Sequence, residues 1–169
     1  VSEPVSLLEV SADGWLTWRG ERMRAALGRG GVTNGKREGD GATPAGIFNL
    51  RCLWYRPDRL ARPATHLSCF PIDPNSGWSD DPGDAAYNRP VLLPHPGRHE
   101  RLWRDDGVYD LIVPLGYNDD PVTPGLGSAI FLHIAHGDYC PTEGCVAIAR
   151  DDLLAILPEC GPATRMRIG

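Results

Sequence analysis

The sequence predicts a mostly β protein, β-rich α+β, with one or two short helices. Three observations carry that expectation. Short apolar runs alternate with turn residues, and 20 Gly and 16 Pro supply many chain reversals without reaching the share typical of low-complexity chains. Ser128 to Ala135 (SAIFLHIA) is apolar on both faces, as a central buried strand requires. Only Asp151 to Leu157 reads as a convincing helix.

The elements follow in order. Leu7-Leu8-Glu9-Val10 and Trp15-Leu16-Thr17-Trp18 flank Ser11-Ala12-Asp13-Gly14, whose Asp-Gly pair signals a hairpin. Arg29-Gly30-Gly31 and Gly39-Asp40-Gly41 are turn chemistry, and Gly46 to Leu50 reads as a further strand. From about Arg56 to Arg104 no strand or helix period is sustained. That stretch reads either as a functional loop region or as a solvated excursion pinned by Trp and Pro. Asp110 to Leu115 and Cys145 to Ile148 are β-like. The helix carries Asp151 and Asp152 in its first turn, where the macrodipole favours them, and Pro158 stops it. Arg165-Met166-Arg167-Ile168 alternates polar and apolar, the pattern expected of an edge strand.

A length of 169 residues fits one domain, 1–169. The formal net charge of −5 argues against nucleic acid as a partner, and no apolar run is long enough to span a bilayer. Of the basic residues only Lys36 is a lysine. The chain begins Val1-Ser2-Glu3-Pro4, with no signal peptide visible. The five cysteines, Cys52, Cys69, Cys140, Cys145 and Cys160, form no CxxC motif.

The chemistry concentrates between His133 and Val146 (HIAHGDYCPTEGCV). A His lies in a buried strand, a turn-rich loop follows, and Gly144-Cys145 opens the next strand. If the two strands are neighbours, His133 faces Cys145. A free thiol is mostly protonated near neutral pH, so an adjacent imidazole must take its proton. Gly144 permits a sharp turn, and its N–H with that of Cys145 is a candidate oxyanion hole. Competing readings are a buried His beside an inert Cys, a zinc site of His133, His136, Cys140 and Cys145, and a Cys140–Cys145 disulfide. The zinc spacing matches no standard finger or ribbon, so no metal is expected.

This run resembles the signature of the L,D-transpeptidase (YkuD-like) catalytic domain, in which a strand His precedes Ser/Thr-His-Gly-Cys and an apolar residue. His133, Thr142, Gly144, Cys145 and Val146 fill those positions, and Lys36 to Phe48 (KREGDGATPAGIF) resembles the family's strand-turn-strand element. Two positions depart: Glu143 stands where the family has His, and Ala147 where it has Arg or Asn. The resemblance implies a mixed β-sandwich and cysteine acyl transfer between peptidoglycan stem peptides, donor and acceptor, with no cofactor and carbapenems as possible inhibitors. It implies Cys145 as nucleophile, His133 as base, and substrate contacts from Arg150, Arg89, Tyr117, Asn118 and Thr142. The pattern is closest to a compact proteobacterial subset forming 1,3 cross-links (L-Ala to meso-diaminopimelate), which implies a periplasmic location and a role in cell shape. The alternatives are 3,3 cross-linking, an L,D-carboxypeptidase or amidase on the same fold, and a wall-binding module with a dead site.

Overall fold

The computed structural model describes residues 6–169. The Val1–Pro4 start read above lies outside the described residues. The hairpin forms as its Asp-Gly turn predicts. β1 (Leu7–Ser11) and β2 (Trp15–Trp18) pair antiparallel. Gly14 sits at φ +91°, and a Cβ there would meet the Ala25 carbonyl at 2.9 Å, so only glycine fits this turn. β3 (Glu21–Ala26) continues the meander. Two short strands, β4 (Val32–Thr33) and β5 (Thr43–Pro44), pair with each other. β6 (Gly46–Asn49) and β7 (Leu53–Tyr55) follow.

The stretch from Arg56 to Arg104 is not only loop. It holds β8 (Cys69–Pro71), β9 (Ser76–Ser79), β10 (Pro90–Leu92) and β11 (His99–Arg101). The last three form an antiparallel sheet in the order β10-β9-β11. Strands of three or four residues are too short for a period-2 pattern to register, and flanking Pro and Gly mask them further. The remaining strands are β12 (Leu111–Pro114), β13 (Phe131–Ile134), β14 (Val146–Ile148) and β15 (Arg165–Ile168). Helix α1 (Arg150–Ile156) ends in a single 3-10 turn, Leu157–Glu159, that contains Pro158.

The large sheet has ten strands in the order β6-β15-β1-β2-β3-β14-β13-β12-β7-β8. It curls until its first strand reaches β12. Arg51 N–H donates to Pro114 O (2.9 Å) and Gly116 N–H to Asn49 O (2.8 Å), which ties the end of β6 to the end of β12. The inner face encloses the main core. Leu8, Leu16, Met166 and Ile168 come from one half of the sheet, Leu132 and Val146 from the other, and Leu153 and Ile156 from α1. β15 is therefore not an edge strand. It is hydrogen-bonded on both sides, parallel to β1 and antiparallel to β6. Its alternation reflects one buried face: Met166 and Ile168 point inward, Arg165 and Arg167 outward.

The outer face of β12 and β13 makes a second core with the three-stranded sheet. Ile112, Phe131 and Cys145 pack there against Trp78, Leu102 and Tyr109. The Pro- and Trp-rich middle of the chain is thus the cover over the face that carries His133.

Candidate active site

β13 is buried throughout, and its two-residue period separates its side chains cleanly. Leu132 and Ile134 enter the main core, while Phe131 joins the second core. His133, two residues on, lies on the Phe131 side and faces a cavity of about 470 Å³. β14 runs parallel to β13, with Ala147 opposite His133 in register. The strands are neighbours, so the turn before β14 brings Cys145 to the same cavity.

That turn is fixed by residues a hundred positions away. Thr142 N–H donates to Leu27 O (2.9 Å), and Arg29 N–H donates to Thr142 O (2.8 Å). Gly144 adopts φ +135°, and a Cβ there would sit 2.8 Å from Ala42 O. The 36–48 segment forms the buttress. Asp40 accepts hydrogen bonds from Lys36 Nζ (2.5 Å), Arg37 N–H (2.8 Å) and Ala42 N–H (2.9 Å). Thr43 Oγ1 accepts Gly28 N–H (2.8 Å) and is fully buried. The Gly-Asp-Gly-x-Thr run therefore holds the backbone against which the Gly144 turn packs.

Cys145 is 8% exposed. Its thiol donates to Ala129 O (3.2 Å), and Phe131 N–H reaches Sγ at 3.4 Å. Burial pushes the thiol up to about 12. The nearby Glu100 carboxyl adds to this, while Phe131 N–H and the Lys36 ammonium oppose it. Burial likewise lowers His133 to about 4, against its hydrogen bond to Ile134 O. His133 Nδ1 lies 2.9 Å from that carbonyl, to which it donates, and the Val108 backbone is a second hydrogen-bond partner of the ring. Both groups are thus neutral near pH 7.

Four of the other expected contacts lie elsewhere or are already engaged. Arg150 does not line the cavity; it pairs with Asp110 (3.1 Å), which also holds Arg59 (2.9 Å). Arg89 donates to Asp119 O (2.6 Å) and lines a separate cavity of about 310 Å³ with Trp54, Phe70 and Trp78. Asn118 pins its own loop, donating to Thr123 O and Gly127 O. Tyr117 serves the same loop: its OH donates to Leu126 O (2.6 Å) and its N–H to Leu115 O (2.8 Å). Gly144 N–H donates to Thr142 Oγ1 (3.1 Å), so it is occupied within the turn. Thr142 lines the cavity, and its hydroxyl donates to Cys145 O (2.7 Å). Glu143 pairs with Arg29 (2.9 Å) at the rim of the cavity and is largely exposed.

The cavity wall adds residues that the sequence did not single out. Arg98, Arg104, Glu38, Asp80, Glu100 and Tyr109 all line it. Tyr109 stands edge-on to the His133 ring, centroids 5.2 Å apart, and its OH donates to Glu100 (2.9 Å). Burial raises the Glu100 carboxyl, against the Tyr109 hydrogen bond. Asp80, Arg98, Glu100 and Arg104 come from the cover, where no periodicity marked them, Glu38 from the 36–48 segment and Tyr109 from the approach to β12; the one signal in the cover was its density of aromatic and charged residues. Among the described residues no group of three or more His, Cys, Asp or Glu is gathered as metal ligands. Cys140 is exposed and Cys145 buried, and both are free thiols, so the disulfide reading fails.

A protein-family model described as the L,D-transpeptidase catalytic domain, YkuD, matches residues 4–168. Comparison with curated proteins and with solved structures gave no match. The family match spans nearly the whole chain, and the chain belongs to the L,D-transpeptidase catalytic domain family.

Proposed function

We propose that this member of the L,D-transpeptidase family cross-links peptidoglycan stems through a Cys145 thioester, with His133 as general base and then general acid. The observation that carries the reading is that Cys145 and His133 line one cavity, with His133 Nδ1 anchored on Ile134 O. Cys145 Sγ attacks the amide carbonyl carbon between an L and a D centre, and its proton passes to His133 as the S–C bond forms. The C–N bond then breaks, the amine leaves with the proton from His133, and a thioester remains. The acceptor stem's amine attacks that thioester, its proton returns through His133, and the thiol is restored. A thiol near 12 and an imidazole near 4 do not form a resting ion pair. Proton transfer therefore accompanies attack rather than preceding it.

Gly144 N–H and Tyr117 N–H are engaged, which leaves Cys145 N–H as the expected oxyanion donor. Arg98 and Arg104 take the place first given to Arg150 as partners for stem carboxylates, since both line the cavity.

The favoured product is the 1,3 link, L-Ala to meso-diaminopimelate. Its support is Ala147, which lies opposite His133 in register and is 1% exposed, so no family Arg or Asn reaches the acyl site from that position. One observation favours 3,3 linkage instead: Glu38, Asp80 and Glu100 in the cavity wall suit the ammonium of a diaminopimelate donor. Acting on peptidoglycan, the enzyme works in the periplasm. Among the described residues no helix is long and apolar enough to cross a membrane.

Incubation with a disaccharide-tetrapeptide and mass analysis of the products tests the reading. A dimer that has lost the D-Glu-containing remainder of one stem is the 1,3 result. Free D-Ala with a 3,3 dimer shows the other bond was cut. Free D-Ala without a dimer identifies a carboxypeptidase, and an active Cys145→Ala enzyme defeats the mechanism.

A further inference from the structure

Lys36 is the only lysine in this chain, among sixteen arginines, and it is buried. Its side chain is 5% exposed, and its ammonium is held by Asp40 at 2.5 Å. An ammonium is strongly hydrated and rarely buried without a specific partner.

Two glycines make room for it. A Cβ on Gly127 would lie 3.1 Å from Lys36 Cε, and a Cβ on Gly144 would lie 3.5 Å from Nζ. The side chain is therefore threaded between the loop that precedes β13 and the turn that carries Cys145. It does not line the cavity and packs beside the turn that carries Cys145.

We propose that Lys36 is a positioning residue for Cys145: its locked ammonium is the fixed positive charge that favours the thiolate and the anionic intermediate in an otherwise apolar, partly acidic surround. The proposal rests on Cys145 being the nucleophile. The titratable groups facing Cys145 are Glu100, Tyr109 and His133 from the cavity side and Lys36 from beside the turn. Glu100 disfavours a thiolate, Tyr109 and His133 are neutral near pH 7, and Lys36 is the cation that opposes burial. Asp40 faces Lys36; burial raises its carboxyl, but hydrogen bonds from Lys36 and two backbone N–H groups outweigh this and hold it below the usual carboxylate range.

The alternative is that Lys36 only clamps the 36–42 segment. Alkylation of Cys145 by iodoacetamide at pH 8, read by mass on the Cys145 peptide, separates the two. No stem peptide is needed, so the test stands apart from the transpeptidase reading. Lys36→Met removes charge and clamp together. Lys36→Gln removes the charge and keeps a donor for Asp40, and it serves where the Met variant does not fold. An opposite charge at short range moves a titration by one to three pH units, so about tenfold slower alkylation is expected in both folded variants. Parent-like alkylation in folded Lys36→Gln overturns the proposal. Slow alkylation together with an active Cys145→Ala enzyme supports the charge while refuting the transpeptidase mechanism.

Discussion

Acidification should weaken this fold through His133. Its folded value, lowered by burial to about 4, lies below the ordinary 6.5. A group lowered in this way stabilises the fold above pH 6.5, and that contribution is lost as pH falls from 6.5 through about 4. At ~1.4 kcal/mol per pH unit, the loss is about 3 kcal/mol, a large share of the ~5–15 kcal/mol of an ordinary domain. The perturbation is His133→Asn, whose amide nitrogen can keep the donor role toward Ile134 O without titrating. Urea unfolding between pH 4 and 7, followed by tryptophan fluorescence, reads stability at each pH. Asp84, lowered to about 2, titrates below this window. Glu100, raised by burial, acts with the opposite sign in both proteins and cancels in the difference. The parent should lose about 3 kcal/mol more than the variant across the window. Equal slopes would show that His133 is not held neutral by burial, and the argument for a resting neutral thiol–imidazole pair would fall with it.

Cys145→Ala should abolish product formation, while Cys140→Ala and Cys160→Ala retain most of it, as muropeptide mass analysis will show. His133→Ala should slow turnover by about 10²–10⁴-fold, and it should also slow Cys145 alkylation near neutral pH; an unchanged alkylation rate would mean His133 does not receive the proton. Gly144→Ala forces a Cβ to 2.8 Å from Ala42 O at φ +135° and should cost about 1–3 kcal/mol by chemical denaturation, with loss of activity. Arg150→Ala should leave KM near the parent value, because its guanidinium pairs with Asp110 away from the cavity, whereas Arg104→Ala should raise it. A carbapenem should add its mass to the parent protein and not to Cys145→Ala.

The strongest local patterns in the sequence were the ones that the fold kept. The hairpin at Asp13-Gly14, the doubly buried β13 and the helix at Arg150–Ile156 each follow from short-range rules. β3 was missed because Arg22 and Arg24 interrupt its apolar residues. In the fold those arginines lie over the Trp15 and Tyr139 rings, while Met23 and Ala25 turn inward. The edge reading of β15 failed because alternation reports which face is buried, not how many neighbours a strand has. At the site, His133, Cys145 and Thr142 were legible from the local motif. Arg104, Glu100 and Tyr109 were not, since they reach the cavity only when the cover folds onto β13. Arg150 was chosen for its position five residues after Cys145, which says little about which way a side chain leaves the backbone.

The position of β15 also sets the order of assembly. It is inserted between β1 and β6, whose residues are made more than a hundred positions earlier. The Gly144 turn likewise depends on backbone contacts to Leu27 and Arg29. Contacts of such long sequence separation make folding slow, because loop closure must come before they form. β1 and β6 stay unbridged until β15 has been made, so that seam of the ten-stranded sheet is the last to be completed.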